Sequence, residues 1–535
     1  MAAGKRQTVD AVVVGAGFGG LYMLYRLREA GLSATCFEAG DGVGGTWYWN
    51  RYPGARCDVE SIDYTYSWSE ELTQEWTWTE RYPSQPEILR YINYVADRFD
   101  LRPSITFETR VTAATFDEAT GRWTVETDRG DVVDAQFCIM ATGCLSAPRK
   151  PDFAGYDSYT GETYHTGQWP HEGVDFTGKR VGVIGTGSSA IQSIPQIAEQ
   201  ADHLTVFQRT ANFSIPAFNG PVDAERQEWV KRHFAEHREA ARLSGFGSST
   251  AFNLEPASGA TPEEQRATFE ERWRIGGISY LGSFGDLLFN RESNDAAAEF
   301  VREKIRSIVE DPATADLLAP TTHPLGTKRL CVDIGYFETY NRENVDLVDV
   351  RSAPIAELTP TGLRLEDGRE FELDAIVFAT GFDAMTGTLL RIDIRGRDGI
   401  TLQQAWADGP HTYLGIMVAG FPNLFTITGP QSPSVLSNMI MSIEQHVEWL
   451  TDLFVHMRED GHTVVDATEV AQKEWGEHVE QIASFTLFPT ADSWYVGANI
   501  PGKPRVFMPY IGGIAMYRTK CDDVAANGYE GFVLT

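Results

Sequence analysis

Long stretches of this chain alternate between nearly unbroken apolar runs and helical periodicity. Residues 9–14 (VDAVVV) form the kind of run that a parallel strand covered on both faces requires, and residues 21–30 continue as a helix. A second strand is expected over 33–37. The same alternation returns in the middle of the chain, with a short strand over 180–184 (RVGVI), a helix from residue 188 and a strand over 204–207. Two further apolar runs, 137–143 (FCIMATG) and 374–381 (DAIVFATG), end in the same three residues, so each unit is expected to close on such a strand. Residues 83–101 carry apolar positions at helical spacing, 106–127 alternate as a small antiparallel sheet, and 421–430 read as a strand leading to a helix over 434–454. Residues 221–318 are rich in Glu, Arg and Ala and read as a helical insertion.

Glycine falls where strand gives way to helix. Gly15, Gly17 and Gly20 follow the first strand at once, and Glu38 ends the next strand about 20 residues on, where a carboxylate accepts from ribose hydroxyls. Gly185, Thr186, Gly187 and Ser188 repeat the turn, where backbone N–H groups and the helix dipole favour a pyrophosphate. In place of the acid stand Arg209 and Thr210. A guanidinium and a hydroxyl there suit a 2′-phosphate, so this unit is expected to take NADP rather than NAD. The fold class is therefore α/β, with two Rossmann-like dinucleotide-binding domains and a helical insertion. The expected division is 1–145 with 382–535, 146–220 with 325–381, and the insertion at 221–324.

Two stretches fit neither period. Residues 44–58 (GGTWYWNRYPGARCD) look like a site-building loop whose Trp47, Tyr48, Trp49 and Tyr52 suit an aromatic wall around a flat ring system, although packing alone would also use them. Asp58 either caps a turn or serves the site. Tyr159, Gly161, His165, Trp169 and Pro170 lie just ahead of the second glycine turn, where Trp169 could simply anchor a linker and His165 could be a satisfied buried imidazole. Lys328 and Arg329 are adjacent cations on a Pro/Gly turn. Residues 493–495 and 499–504 form an aromatic, Pro-rich loop expected to act as a lid.

Charge and cysteine usage narrow the classes. The net charge of −30 opposes binding to nucleic acid or an anionic membrane. The six cysteines show no CxxC and no metal-ligand spacing, which speaks against a disulfide reductase and suggests free thiols in a reducing cytoplasm. The N-terminal segment has no apolar signal core, and no apolar run approaches the roughly 20 residues of a membrane span.

With these residues in hand, the chain resembles the Baeyer–Villiger monooxygenases almost end to end, most closely the phenylacetone and steroid monooxygenase branch. The signatures that carry the likeness are residues 44–58 and the series Tyr159, Gly161, His165, Trp169, Pro170, with Tyr in place of the usual Phe. The resemblance implies that Gly15, Gly17, Gly20 and Glu38 hold the ADP part of FAD, and that Thr46, Trp47, Trp49, Asp58, Tyr64, Val111 and Met439 surround the rest. It implies that Gly185, Thr186, Gly187, Ser188, Ser189, Gln192, Arg209, Thr210 and Lys328 hold NADPH, with Arg56, Cys57, Asp58 and Trp494 near its nicotinamide side. Arg329 matches the active-site arginine and Asp58 its partner. His165 and Trp169 then couple domain rotation to assembly of the site. The implied reaction inserts one oxygen of O2 beside a ketone carbonyl, through a flavin peroxide and its adduct, giving an ester or lactone from aryl, cyclic or bulky ketones, with sulfoxidation alongside. A monomer or weak oligomer is expected. The alternative is a flavin monooxygenase of amines or sulfides, and a silent NADP-sensing protein is a more distant rival. Loops at 432–439 and 485–494 are expected to shape the pocket.

Overall fold

The computed structural model describes residues 6–149, 151–250 and 252–535. The first five residues of the segment read as lacking an apolar signal core lie outside them. Two sheets with parallel cores organise the chain. In the first, Arg6–Val14 is flanked in parallel by Ala34–Phe37 and Val132–Met140. Its Ala11, Val12 and Val13 are fully buried, which is why both side-chain faces of the strand are apolar. Val111–Asp117 and Arg122–Thr127 extend this sheet as an antiparallel meander, and Leu424–Thr426 returns late in the chain to pair with Val132–Met140. The second sheet is parallel throughout, in the order Val345–Asp349, His203–Gln208, Arg180–Ile184, Ala375–Phe378, Glu162–His165.

The repeat seen in the sequence has a steric basis. Gly15 (φ +102°) and Gly185 (φ +124°) each back onto the alanine of an Ala-Thr-Gly end: a Cβ on Gly15 would lie 2.7 Å from the Ala141 carbonyl oxygen, and one on Gly185 would lie 2.4 Å from that of Ala379. Each ATG strand thus closes behind a glycine turn, which no residue with a Cβ could occupy.

Three expectations need correction. The stretch around His165 was expected to follow neither period, yet Glu162–His165 is an edge strand paired in parallel with Ala375–Phe378. Its exposure and polar residues hide the alternation. The expected irregular loop at 44–58 includes a helical turn, Thr46–Trp49, and its Tyr48 is absent from the cavity wall, while Trp47, Trp49 and Tyr52 line it. The helix expected from residue 434 begins later, as Met439–Asp460, capped by Asn438, whose side-chain oxygen accepts from the Ile440 N–H at 3.1 Å. Ser434 lies in the left-handed region (φ +42°), as do Thr428 and Gln431, and such a backbone cannot start an α-helix.

The insertion consists of Ala224–Arg232, Phe234–Leu243, Pro262–Ile275, Arg291–Ile308 and Pro312–Leu318. Its Phe269, Trp273, Tyr280 and Phe300 pack together and join the core of the second sheet. Among the described residues no helix is long and apolar enough to cross a membrane.

Candidate active site

A cavity of about 1550 Å³ runs between the strand ends of the two sheets and receives residues from both glycine turns. The helices that follow the turns, Phe18–Glu29 and Ser188–Gln200, begin at Gly17 and Gly187 without a side-chain cap. Their first N–H groups are therefore left for an anion. Gly17 is close-packed by the aromatic loop: a Cβ on Gly45 would stand 3.0 Å from the Gly17 Cα. Glu38 lines the cavity but is only 5% exposed, and its carboxylate accepts from the Ala16 N–H at 2.8 Å and the Gly40 N–H at 2.8 Å. These bonds tie the acid to the glycine turn and leave lone pairs for hydroxyl donors.

Arg329 lines the cavity. Its Nε donates to Asp58 Oδ2 at 2.9 Å and its Nη2 to Asp58 Oδ1 at 2.7 Å, a bidentate pair, while Nη1 donates to the Val435 carbonyl at 2.9 Å. About a fifth of each partner's side chain is exposed. Burial works against the guanidinium charge, but Asp58 and then Tyr495 outweigh it, so Arg329 stays protonated more firmly than a free arginine. Tyr495, buried beside it, has its hydroxyl pushed up to about 12 by burial, with the Arg329 charge pulling the other way. Trp47 donates from its ring nitrogen to the Tyr64 hydroxyl at 3.0 Å, and both line the cavity near Cys57, Val111 and Met439.

On the other side lie Thr186, Ser188, Ser189, Arg209 and Thr210. Thr186 Oγ1 donates to the Thr210 carbonyl at 2.6 Å, which fixes the strand end on the turn. Gln192 accepts from the Tyr52 hydroxyl at 2.8 Å and donates to the Arg56 carbonyl at 3.2 Å, bolting the aromatic loop to the second unit. Tyr52 thus packs with the core of the second sheet while still lining the cavity, whereas Tyr48 donates to Asp41 at 2.6 Å and does not line it. Lys328 Nζ donates to the Asp492 carbonyl, so the two adjacent cations diverge, one toward the lid and one toward Asp58.

The loop expected to act as a lid is held by residues 382–384. Asn499 donates to the Phe382 carbonyl at 2.7 Å, and Lys503 to Asp383 at 2.7 Å and the Ala384 carbonyl at 2.9 Å. Trp494 lines the cavity.

Not every expected site residue reaches the cavity. Gly20 does not line it. A Cβ there would fall 1.8 Å from the Gly15 carbonyl oxygen, so this glycine serves the close approach of helix to strand. Tyr159, Gly161, His165, Trp169 and Pro170 stand behind the wall. Tyr159 donates to the Leu373 carbonyl at 2.9 Å and leaves no room for a Cβ on Gly161. Trp169 is buried with Tyr164 and Phe176. His165 accepts from the Gly167 N–H through Nδ1 at 3.0 Å, so Nε2 carries the proton toward the Arg149 carbonyl at 3.1 Å, and burial lowers its pKa.

Sequence reasoning put Tyr495, Asn499 and Lys503 on the expected lid without giving them partners, and it missed His323 and Asn212 as site residues. His323 is 6% exposed, and its pKa is lowered to about 4 by burial and then by Lys328 and Arg302. Its Nε2 has no partner, nor do Asn212 Oδ1 and Asn499 Oδ1, and all three residues line the cavity.

A family profile described as pyridine nucleotide-disulphide oxidoreductase matches residues 12–239. All six cysteines are free and buried, so that likeness covers nucleotide binding and not a disulfide centre. A Baeyer–Villiger monooxygenase from Pseudooceanicola batsensis is 46% identical, covering 98% of this chain and 96% of that protein. The chain belongs to the Baeyer–Villiger monooxygenase family. The acetone monooxygenase (methyl acetate-forming) of Gordonia sp. strain TY-5 is 44% identical over 99% of both chains. Among solved structures, an oxidised steroid monooxygenase bound to NADP superposes with a TM-score of 0.94 at 53% identity, covering 98% of this chain and 99% of that one. This Baeyer–Villiger monooxygenase therefore shares its whole length with its relatives, including both glycine turns.

Proposed function

We propose that this enzyme uses FAD and NADPH to insert one atom of O2 beside a ketone carbonyl, giving an ester or lactone, on aryl, cyclic or bulky ketones, with sulfoxidation as a side activity. The observation that carries the reading is the Arg329–Asp58 pair, a clamped guanidinium in a cavity bounded by two nucleotide turns. The residues present fit both cofactors: two uncapped helix starts, a cradle at Gly17 and Gly45 that a Cβ would fill, and three orphaned polar atoms in the wall. When bound, FAD and NADPH supply the reducing equivalents and the oxygen activation.

The chain's own residues do the rest. Glu38 accepts from the ribose of the first nucleotide, and Arg209, Thr210 and Lys328 take the 2′-phosphate of the second. Arg329 spends three of its five N–H groups on Asp58 and Val435, so its position is fixed while further donors remain for developing negative charge on oxygen. A permanently charged guanidinium does this without giving up a proton, as a lysine could. Asp58 orients it. His165 and Trp169 act at a distance, as joints between the edge strand and the wall. The first unit comprises 1–145 with 382–535, the second 146–220 with 325–381, and the insertion 221–324. The net charge supports small molecules rather than nucleic acid as partners. We read the enzyme as cytoplasmic and as a monomer or weak oligomer.

The test is anaerobic reduction with NADPH, then O2, with products analysed from phenylacetone, cyclohexanone, a steroid ketone and a sulfide. Esters or lactones are expected. Sulfoxide as the sole product would move the assignment to heteroatom oxygenation.

A further inference from the structure

Among the cations that line the cavity, Arg149, Arg209 and Lys328 are linked by the charge of Arg209. Arg149 lies on the crossing from the first sheet to the second, Arg209 follows His203–Gln208, and Lys328 precedes Arg329. Among the described residues none of the three has a carboxylate in ion-pair contact, and the partner of Lys328 is a neutral carbonyl. Arg209 sits between the other two electrically. Burial first, and then the charge of Arg209, makes both Arg149 and Lys328 harder to protonate. Like charges gathered on a half-buried wall repel one another, and a dianion placed among them reverses the sign of that energy.

Arg149 is also held where it stands. Its carbonyl accepts from His165 Nε2 at 3.1 Å and from Thr380 Oγ1 at 3.1 Å, and Thr380 belongs to the second Ala-Thr-Gly end. The backbone is thus pinned by a linker residue on one side and a strand end on the other, and Arg149 lines the cavity. His323, on the same wall, stays neutral at pH 7 and adds no fourth charge.

We propose that Arg149 is a third cation of the 2′-phosphate subsite, beside Arg209 and Lys328, and so a determinant of the choice of NADPH over NADH. The inference rests on the assignment of Arg209 and Lys328 to that phosphate. It gives the segment behind Arg149 a direct link to the nucleotide, because the same residue contacts phosphate with its side chain and His165 with its carbonyl.

Two nucleotides that differ only by a 2′-phosphate, adenosine 2′,5′-bisphosphate and AMP, test it by calorimetry on the FAD-loaded protein. Arg149→Gln is expected to weaken the bisphosphate about tenfold and leave AMP unchanged, a loss typical of one charge-assisted hydrogen bond. Arg149→Lys is expected to recover part of the loss, and added salt to shrink the difference between wild type and Arg149→Gln. Equal weakening of both nucleotides, or none of either, overturns the proposal. Arg209→Gln separates this from the parent assignment. If that variant loses the preference for the bisphosphate while Arg149→Gln keeps it, only the role of Arg149 falls. A wild-type protein without the preference removes the 2′-phosphate subsite itself.

Discussion

The two glycine turns are built alike and finished differently. In the first, the buried Glu38 already accepts from the N–H groups of Ala16 in the turn and of Gly40 beyond it, so its charge is partly met within the protein. In the second, the charge of Arg209 opposes those of Arg149 and Lys328, and Asp492 pulls the other way at Lys328 without an ion pair to it. A site at rest without its nucleotide suits a cofactor that stays. A site under electrostatic tension suits a nucleotide that comes and goes, because binding relieves the tension and departure restores it. The same strand, turn and helix can therefore make a resident site or an exchange site, and the residue that ends the second strand decides which.

Arg329 stands between the two and offers the sharpest way to break the comparison. Arg329→Ala is expected to lose about 3 to 4 kcal/mol of transition-state stabilisation, two to three decades in ester formation, while FAD content and affinity for adenosine 2′,5′-bisphosphate stay near wild type. Stopped-flow turnover and calorimetry read the two halves of that statement. A large loss of either nucleotide would mean that the turns and the junction are not separable.

The second side has a pH signature of nearly the same size, set by burial first and by nearby cations second. His323 is held at about 4 against an ordinary value of 6.5, so as pH falls the unfolded chain takes its proton first. The stability this neutral imidazole allows is complete above pH 6.5 and is lost as pH falls toward 4, by up to about 3 kcal/mol. Urea unfolding at pH 7.5, 6 and 5 should show that loss, and His323→Gln should flatten it. An unchanged slope in the variant would place the acid sensitivity elsewhere.

On the resident side, Glu38→Ala strips the acceptor from two N–H groups and is expected to cost about 2 to 3 kcal/mol of stability and release FAD on gel filtration. Arg209→Ala should touch only the exchange side, lowering the preference for NADPH over NADH by about tenfold or somewhat more, as judged by the ratio of kcat/KM values. FAD loss in Arg209→Ala would blur the distinction drawn here.

Much of this was open to a reader of the sequence. The strand at 180–184 and the helix from residue 188 coincide with Arg180–Ile184 and Ser188–Gln200, because glycine turns punctuate them on both sides. The edge strand Glu162–His165 was hidden, since a half-exposed edge gives no apolar alternation. The late start of Met439–Asp460 was hidden too, because periodicity does not reveal that Ser434 sits at positive φ. At the site, Arg329 and Asp58 are far apart in sequence, and family likeness paired them where periodicity could not. His323 and Arg149 escaped notice because their character comes from burial first and then from nearby cations, a property of the fold and not of local spacing.

The clasp of Asn499 and Lys503 on residues 382 to 384 has a practical side. Those three residues are also where the chain leaves the second sheet to return to the first. If residues 382–384 act as a hinge, the order of this loop and the angle between the units are expected to change together. A single indole on that loop, Trp494, can then serve as a gauge of the angle between the units. Its fluorescence should respond to nucleotide in the intact protein and fall silent in Lys503→Met, where the loop rides free of the joint it reports on.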